Sequence, residues 1–323
     1  MSIANVRYSI VVPVYRSAAM LKELCSRIIA VMEKHGGIFE IILVDDCSPD
    51  RSWQTISEIT SEDGRISGIQ LMRNCGQGGA TLCGLSAARG DFLITMDDDL
   101  QHPPEELPKM IAALEDNPER DVVMGVPLDA YRQPRWRQLG SYVLSRVNTV
   151  IFAKDHKLRL SSFRIMRRNV VEQLLASRTP FPAPGPMLCA ITPRISNIEV
   201  AHHQRAAGRS GYTMLKIFTL TLSRILSFSS LPLRLLATIG GVGIVLSVIL
   251  TAFYLLRYLL MGSAVAGFTT LALMLTAVSG FIFFAFGIVG EYLLRILQSV
   301  EGTPSFIVRQ RVGHERVKDN DKL

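Results

Sequence analysis

The sequence predicts an α/β domain with a mainly parallel sheet, followed by a membrane-associated C-terminal part. Over the first 125 or so residues, short apolar runs alternate with apolar residues at helical spacing, which is typical of parallel strands covered by helices on both faces. Further along, two stretches without charged residues each exceed the roughly 20 residues that a membrane-spanning helix needs. The mean hydropathy of +0.26 is high for a chain with 20% charged residues.

Five apolar runs predict strands, at residues 8–14, 40–44, 66–72, 92–96 and 121–125. Helical spacing between them predicts helices at residues 20–34, 52–60, 78–88 and 104–114. Polar residues follow the strands, at Tyr15, Asp45 and Asp46, Asn74, and the stretch from Asp97 to Gln101. In sheets of this kind, ligands bind beyond the carboxyl ends of the strands. We therefore expect these polar groups to form one site.

The acidic cluster Asp97-Asp98-Asp99 lies where the fourth predicted strand ends, before Pro103 and Pro104. Carboxylate oxygens there suit a hard divalent cation such as Mg²⁺, which commonly bridges one or two carboxylates to substrate phosphates. The alternative is an ordinary solvated acidic turn.

Two further clusters have a chemical interpretation. Asp45 and Asp46 follow a buried strand, where a carboxylate can accept hydrogen bonds from a nucleotide base or from ribose hydroxyls; Ser48 or Asp50 can also cap the next helix. Residues 74–79 form a glycine-rich strand-to-helix turn that could approach a sugar or a phosphate. This turn has neither the Walker A ending nor the G-x-G-x-x-G spacing of dinucleotide-binding loops.

The C-terminal third predicts a helical hairpin in a membrane. Residues 235–256 carry no charge, and none lies between Arg257 and Glu291, so we expect spans at about 235–257 and 268–290 within residues 232–297. Two buried helices of a large soluble core are the alternative. Residues 212–231 predict an interfacial helix or, alternatively, a core helix.

Basic residues flank the hairpin on the side of the remaining chain, which by the positive-inside rule places both termini and the N-terminal domain in the cytoplasm. No signal peptide is expected, since the N-terminus leads directly into a strand pattern. The net charge of +7 suits an anionic membrane surface, whereas no basic cluster interleaved with aromatic residues indicates nucleic-acid binding. The five scattered cysteines fit reduced thiols.

Five motifs stand in the order seen in glycosyltransferase family 2, at residues 12–15, 44–48, 73–77, 96–105 and 203–212. More narrowly, the chain resembles the polyprenyl-phosphate glycosyltransferases, a group that includes dolichyl-phosphate mannose synthase, bactoprenol glucosyltransferase and undecaprenyl-phosphate aminoarabinose transferase. The resemblance covers nearly the whole chain, and the D-x-D-L-Q-x-P-P pattern at residues 97–104 is its most specific part.

The resemblance implies a GT-A catalytic domain at residues 1–211, with residues 298–323 as a cytoplasmic tail. It implies transfer of one sugar, with inversion, from a nucleotide-diphosphate sugar such as a UDP-sugar to undecaprenyl phosphate. The reaction would take place at the cytoplasmic face of a bacterial inner membrane and would serve modification of cell-envelope glycans. It also implies Mg²⁺ or Mn²⁺ dependence and a homo-oligomer, tetrameric as in relatives.

The resemblance assigns roles residue by residue. Asp97, Asp99 and Gln101 would hold the metal, and Asp97, Asp99, Arg137 and Arg205 would carry catalysis. The acceptor phosphate would lie against Arg132, Arg137 and Ser141. The remaining matches would bind the nucleotide sugar, and these are Pro13, Tyr15, Asp45, Asp46, Ser48, Asn74, Gly78, Asp98, Arg205 and Ser210.

One departure from the family pattern concerns the mechanism. Relatives often place an aspartate just before a Phe-Arg pair, but the segment from Leu158 to Arg164 contains no carboxylate. An acidic base is therefore not expected there.

Two other functions stay open. One is a transferase acting on another membrane acceptor, such as a glycolipid or a growing polysaccharide. The other is a non-catalytic scaffold or flippase partner.

Overall fold

The computed structural model describes residues 6–127, 158–177, 182–201, 268–300 and 304–313, together with a few isolated positions between 238 and 260. The chain divides into two compact units: Met1–Gly211 with Gly302–Leu323, and Tyr212–Glu301.

The described strands are β1 (Tyr8–Val14), β2 (Phe39–Asp45), β3 (Ile66–Leu71), β4 (Phe92–Thr95), β5 (Val122–Pro127), β6 (Arg164–Arg167), β7 (Ile195–Val200) and β8 (Val308–Val312). The described helices are α1 (Leu21–His35), α2 (Ser52–Glu62), α3 (Gly76–Ala87), α4 (Leu107–Glu115), α5 (Arg168–Ala176), α6 (Pro184–Ile191) and α7 (Phe268–Val300), with a short 3₁₀ helix at Pro104–Glu106.

All the described strands belong to one sheet, in the order β7-β5-β6-β4-β1-β2-β3-β8. Strand β1 pairs in parallel with β2 and β4, β2 with β3, and β5 with β7. Strand β6 pairs antiparallel with both β4 and β5, and β8 pairs antiparallel with β3. The sheet is therefore mainly parallel, as the sequence predicts.

The core lies between the sheet and its helices. Strand β2 is buried at every position, as expected for a strand covered on both faces. Helix α1 turns Leu21, Leu24 and Ile28 toward the core. Helix α3 approaches β1 closely because of Gly84, where a Cβ atom would lie 2.3 Å from Cγ1 of Val11.

Every strand and helix predicted in the first 125 or so residues forms, with ends within two residues of the prediction except at α4, which begins three residues later, after the 3₁₀ helix at Pro104–Glu106. The sequence analysis did not predict β6, β7 or β8. Strand β6 has arginines at both ends and β8 reads Val-Arg-Gln-Arg-Val, so neither shows the apolar run that marks the inner strands.

The C-terminal segment has a structural role that the sequence did not indicate. Residues 298–323 were expected to be a tail, but β8 adds to the sheet beside β3 and belongs to the first unit. The Met72 backbone N–H also donates to the Ile307 carbonyl at 2.8 Å. This segment therefore covers the edge strand of the parallel core.

The second unit contains α7, which includes the second predicted span and carries exposed apolar side chains such as Leu271, Leu275 and Phe286. Among the residues that the structure describes, no helix combines the length and apolar character that crossing a membrane requires. The hairpin stays a prediction. The interfacial helix at 212–231, and the first span except for isolated positions, lie outside the described residues.

Candidate active site

The polar loops that follow β1, β2 and β4 meet at the carboxyl ends of these strands. The Tyr15 backbone N–H donates to Oδ2 of Asp98 at 3.0 Å. The next backbone N–H, that of Arg16, donates to Oγ of Ser48 at 3.2 Å. The prediction that these groups share one edge of the sheet is confirmed.

Each of these three loops contains a non-glycine residue in the left-handed backbone region. The φ angles are 59° at Arg16, 56° at Cys47 and 58° at Leu100. Such conformations cost of order 1–3 kcal/mol each and concentrate at functional sites. The strain makes this edge a candidate binding site.

Asp45 ends β2 with its side chain fully buried. Its Oδ1 accepts the Ser48 backbone N–H at 3.1 Å, and its Oδ2 accepts Nε2 of Gln70 at 3.1 Å. Both carboxylate oxygens are therefore held in a defined orientation next to the loop that carries Ser48.

Asp46 lies at the start of the same loop and is also buried. Its Oδ1 accepts the Cys75 backbone N–H at 2.6 Å, and Asn74 Nδ2 donates to the Asp46 carbonyl at 3.3 Å. Burial raises the pKa of Asp46 to about 6, and the nearby charge of Asp45 adds to this effect, although backbone N–H groups of Cys75 and Gly76 oppose it. The loop after β2 is thus joined to the turn after β3.

Within the acidic cluster after β4, the hydrogen bonds described for Asp97 come from uncharged donors. Asp97 accepts Nε2 of Gln77 on Oδ1 and Oγ of Ser162 on Oδ2, both at 2.5 Å. Burial raises the pKa of Asp97, with a further contribution from Asp99.

Its two neighbours are held in the same loop. The pKa of Asp98 is raised to about 6, mainly by burial; hydrogen bonds from Ser17 and the Tyr15 N–H oppose the rise, and the charges of Asp97 and Asp99 contribute to it. Asp99 Oδ1 accepts the Gln101 backbone N–H at 3.2 Å. Three adjacent acidic residues, of which Asp99 is buried, create a local excess of negative charge in this loop.

A divalent cation fits this excess, because carboxylate oxygens are its preferred ligands and its charge would offset the mutual repulsion. Within the described ranges, however, no three His, Cys, Asp or Glu side chains are grouped as a complete metal-binding cluster. Asp97 and Asp99 can therefore supply two protein ligands, while substrate oxygens and water would complete the shell.

A buried guanidinium lies beside the acidic cluster. Arg164 is 5% exposed and its Nε donates to Oγ1 of Thr95 at 3.0 Å, while its Nη1 has no hydrogen-bond partner among the described residues. Burial lowers the pKa of Arg164 to about 10, against the opposing attraction of Asp97. The side chain is therefore still cationic at neutral pH.

The sequence analysis did not assign Gln77 or Ser162 to the site. Ser162 lies in the segment where relatives often carry an aspartate. The missing aspartate was the one feature of the sequence that could have drawn attention to Ser162. In this protein the segment instead provides the Ser162 hydroxyl, which donates a hydrogen bond to Asp97.

The glycines of the turn after β3 allow close packing of the chain itself. A Cβ atom at Gly78 would lie 2.0 Å from the Pro182 carbonyl oxygen, and one at Gly79 would lie 2.9 Å from the Ser305 carbonyl oxygen. These contacts within the chain are enough to explain why glycine is required at both positions, and no bound ligand is needed to explain it. A role for Gly78 in binding the nucleotide sugar stays a prediction.

Several predicted site residues lie outside the described residues: Arg132, Arg137, Ser141, Arg205 and Ser210. Pro13 is part of β1, and Tyr15 is 44% exposed at the edge of the site.

A mainly parallel sheet with buried acidic residues at its carboxyl ends defines a GT-A-like class of domain. The family model described as "Glycosyl transferase family 2" matches residues 9–175. The chain belongs to glycosyltransferase family 2, and it is a glycosyltransferase.

The curated relatives agree over nearly the full length. An undecaprenyl-phosphate 4-deoxy-4-formamido-L-arabinose transferase from Pseudomonas paraeruginosa is 34% identical, over 94% of this chain and 90% of the relative. The protein of the same name from Proteus mirabilis is 32% identical, over 98% of this chain and 97% of the relative.

Among solved structures, a glucosyl-3-phosphoglycerate synthase from Mycobacterium tuberculosis, in complex with Mn²⁺, UDP-glucose and phosphoglyceric acid, superposes with a TM-score of 0.53. It is 15% identical, and the match covers 69% of this chain and 78% of that chain. This likeness establishes the fold.

Proposed function

We propose that this protein transfers a single sugar from a nucleotide-diphosphate sugar to a polyprenyl phosphate, specifically undecaprenyl phosphate. The observation that carries the proposal is the cluster of Asp97, Asp98 and Asp99, with Asp99 buried, at the carboxyl ends of a family 2 sheet. The acceptor class follows from the names of relatives that align over nearly the whole chain.

The donor nucleotide is assigned to the loops after β1 and β2. Tyr15 is exposed at the rim, and Asp45 and Ser48 are fixed by hydrogen bonds at the base of these loops. A carboxylate in this place can accept from a base or from ribose, and an exposed ring offers a stacking surface. We assign UDP as the nucleotide, in agreement with the fold neighbour solved with UDP-glucose.

The donor diphosphate is assigned to the loop after β4, where Asp97, Asp99 and Gln101 would hold Mg²⁺ or Mn²⁺. When bound, such a cation neutralises the negative charge that grows on the leaving diphosphate. Gln77 and Ser162 keep the two oxygens of Asp97 in place. Arg164 supplies a fixed positive charge near the same carboxylate.

The nucleophile needs little help from a base. A phosphate monoester has a second pKa of about 6, so the lipid phosphate is largely dianionic at neutral pH. This agrees with a segment from Leu158 to Arg164 that contains no carboxylate. We propose that the lipid phosphate is bound by Arg132, Arg137 and Ser141. The donor diphosphate is proposed to be bound by Arg205 and Ser210. Displacement of the diphosphate by the lipid phosphate would invert the configuration at the sugar carbon.

A lipid acceptor requires the catalytic domain to work at a membrane surface. We propose a bacterial inner membrane, with residues 212–231 at the interface, spans at 235–257 and 268–290, and both termini in the cytoplasm. A homo-oligomer, tetrameric as in relatives, belongs to the same proposal. The product would serve modification of cell-envelope glycans.

Purified full-length protein, incubated with undecaprenyl phosphate and a panel of nucleotide sugars, tests the function directly. We expect one donor to give a lipid-linked monosaccharide, with loss of turnover in excess EDTA. Transfer to a glycolipid or a polysaccharide but not to the lipid phosphate would favour the alternative acceptor class. Failure to transfer with any donor would favour a non-catalytic role.

The two proposed arginine sites separate by kinetics. Arg137→Ala should mainly raise KM for lipid phosphate, because it would remove acceptor binding, whereas Arg205→Ala should mainly lower kcat, because the diphosphate gains charge only as the bond breaks. Lysine at either position should rescue partially, since it keeps the charge but not the bidentate geometry. Weaker nucleotide-sugar binding in Arg137→Ala would contradict the assignment.

The membrane topology can be tested on intact cells. A cysteine introduced by Ser263→Cys should react with an impermeant thiol reagent, because the proposed hairpin turn faces outward. Native Cys47 and Cys75, which are partly exposed in the catalytic domain, should not react; Cys83 should not react either, but its burial alone would account for that. The reverse labelling pattern would overturn the proposed orientation.

A further inference from the structure

Three polar side chains form a row across three neighbouring strands at the rim of the proposed donor site. Asp45 on β2 stands opposite Gln70 on β3 in the parallel register. Gln70 in turn stands opposite Gln310 on β8 in the antiparallel register. The row connects the C-terminal strand with the carboxylate assigned to the donor nucleotide.

Hydrogen bonds run along this row. Gln310 Nε2 donates to Oε1 of Gln70 at 2.9 Å, and Gln70 Nε2 donates to Oδ2 of Asp45 at 3.1 Å. Asp45 and Gln70 are 0% and 9% exposed, so water competes little for these bonds. The separation in sequence between Gln70 and Gln310 is 240 residues.

The direction of these bonds matters, because an amide has a donor end and an acceptor end. When Gln310 donates to the Gln70 oxygen, the Gln70 nitrogen is left to face Asp45. The opposite orientation would place the amide oxygen against the carboxylate, which can only accept when ionised. Gln310 therefore selects the Gln70 orientation that holds Asp45.

The backbone keeps Gln310 in place independently of its side chain. Strand β8 pairs with β3 on both sides of Gln310, from Val308 to Val312. Gly313 follows with a φ angle of 80°, where a Cβ atom would lie 2.6 Å from the Ile66 carbonyl oxygen. A side-chain substitution at Gln310 should thus alter the row while β8 stays in the sheet.

We propose that Gln70 and Gln310 are positioning residues that orient Asp45 toward the nucleotide of the donor, so that the C-terminal strand completes the donor site. The inference rests on the proposed role of Asp45 in nucleotide binding. It adds a dependence of that site on residues at the far end of the chain.

The decisive variant is Gln310→Glu, which has nearly the same size but accepts hydrogen bonds instead of donating them at neutral pH. It should draw the Gln70 nitrogen away from Asp45 and turn the amide oxygen toward the carboxylate. UDP and GDP are titrated separately against the full-length protein by calorimetry, and the tighter binder serves as the probe. We expect its Kd to rise about 10-fold, the effect of losing one hydrogen bond to a charged group.

Gln310→Ala removes the donor without reversing the polarity, so a smaller rise of about 3-fold is expected. Arg309→Ala, at the adjacent position of β8, is the matched control and should leave Kd unchanged. In steady-state assays, the rise should appear in KM for the nucleotide sugar and not in KM for lipid phosphate. The melting temperature of each variant shows that the fold is intact.

An Asp45→Asn background separates positioning from general damage to the sheet. The amide of the variant side chain can donate to the reversed Gln70 oxygen, so Gln310→Glu should cost little additional affinity there. A penalty of the same size in both backgrounds would overturn the inference.

Asp45→Ala distinguishes the two levels of the hypothesis. If it weakens nucleotide binding while Gln310→Glu does not, only the positioning role is wrong. If Asp45→Ala leaves binding unchanged, the proposed nucleotide role of Asp45 is wrong and the inference falls with it.

Discussion

Buried carboxylates occur at both ends of the parallel strands, but their surroundings differ. At the amino ends, Oε1 of Glu40 accepts Oγ of Ser9 at 2.7 Å, and Oε2 of Glu40 accepts both Nε and Nη2 of Arg89, at 2.9 and 2.7 Å. At the carboxyl ends, Asp97 receives its described hydrogen bonds from the neutral groups of Gln77 and Ser162. At the amino ends one carboxylate is paired directly with one guanidinium. At the carboxyl ends Arg164 attracts Asp97, but Asp97, Asp98 and Asp99 follow one another in the same loop.

The backbone follows the same division. The non-glycine residues with left-handed φ among the described positions, Arg16, Cys47 and Leu100, all lie in loops at the carboxyl ends. Backbone strain and repulsion between neighbouring carboxylates lower stability, and their concentration at one edge favours a binding role for that edge. The amino-end network instead serves to hold β1, β2 and β4 together.

The largest expected effect is at the carboxyl end. Asp99→Asn should lower kcat by at least about 100-fold, because it would remove a charge that holds the metal and the donor diphosphate. The free energy of unfolding should be unchanged or higher, because repulsion within the acidic cluster decreases. Kinetics with saturating donor and denaturant unfolding measure the two quantities. Near-normal turnover would remove Asp99 from the mechanism.

Glu40→Gln tests the opposite end. It should lower the free energy of unfolding by about 2–3 kcal/mol, because it weakens hydrogen bonds to a charged partner in a site where the Glu40 side chain is only 4% exposed. The kcat of the folded protein should not change, since this network lies at the other end of the strands. A selective loss of kcat without loss of stability would contradict the division between the two ends.

Asp46→Asn should stabilise the protein at neutral pH while weakening donor binding. The pKa of Asp46 is raised from 3.8 to about 6 in the folded state, so the folded state binds this proton more tightly than the unfolded state. Its contribution to stability is present below about pH 4 and is lost as pH rises through about 6. The variant should therefore exceed the wild type by on the order of 1–2 kcal/mol at pH 7.

The matched comparison is the same pair of proteins at pH 4, where the difference should largely disappear because the carboxyl group is neutral. Chemical unfolding at both pH values gives the two free energies. A difference that is constant with pH would contradict a raised pKa at Asp46.

The smallest effect concerns thiol reactivity, in a Cys189→Ser background. Burial raises the pKa of Cys25 and Cys83 to about 12, so almost none of either thiol is ionised at neutral pH. Cys47 and Cys75 are partly exposed at the carboxyl end and should be alkylated first. A bound nucleotide sugar should slow the labelling of Cys47 and Cys75 a few-fold. Mass spectrometry of the labelled peptides measures this rate. Protection of Cys25 instead would contradict the placement of the site.

The inner half of the fold could be predicted because its signal is local. A strand buried on both faces must be apolar throughout, as in β2, and a helix on the sheet must repeat apolar residues at helical spacing, as in α1. The polar residues that follow such strands then meet at one edge by geometry alone. This is why Asp45, Asp46 and the acidic cluster were predicted to lie together.

The outer strands and the supporting residues could not be predicted in this way. Strand β8 is polar and forms because β3 offers an unpaired edge, and Gly78 and Gly79 are required by segments far away in sequence. The hydrogen bonds from Ser162 to Asp97 and from Gln310 to Gln70 likewise join distant parts of the chain.

The sequence by itself determined the class of fold, the order of the central elements, the family and the edge that carries the acidic residues, since each depends on local patterns of apolar and charged side chains. Only the tertiary structure decided which neutral groups hold those carboxylates and which glycines allow other segments to approach. It also decided that the C-terminal strand β8 joins the sheet beside β3, which carries the Gln70 that hydrogen-bonds to Asp45. These features depend on contacts between residues remote in sequence, and no local pattern encodes them.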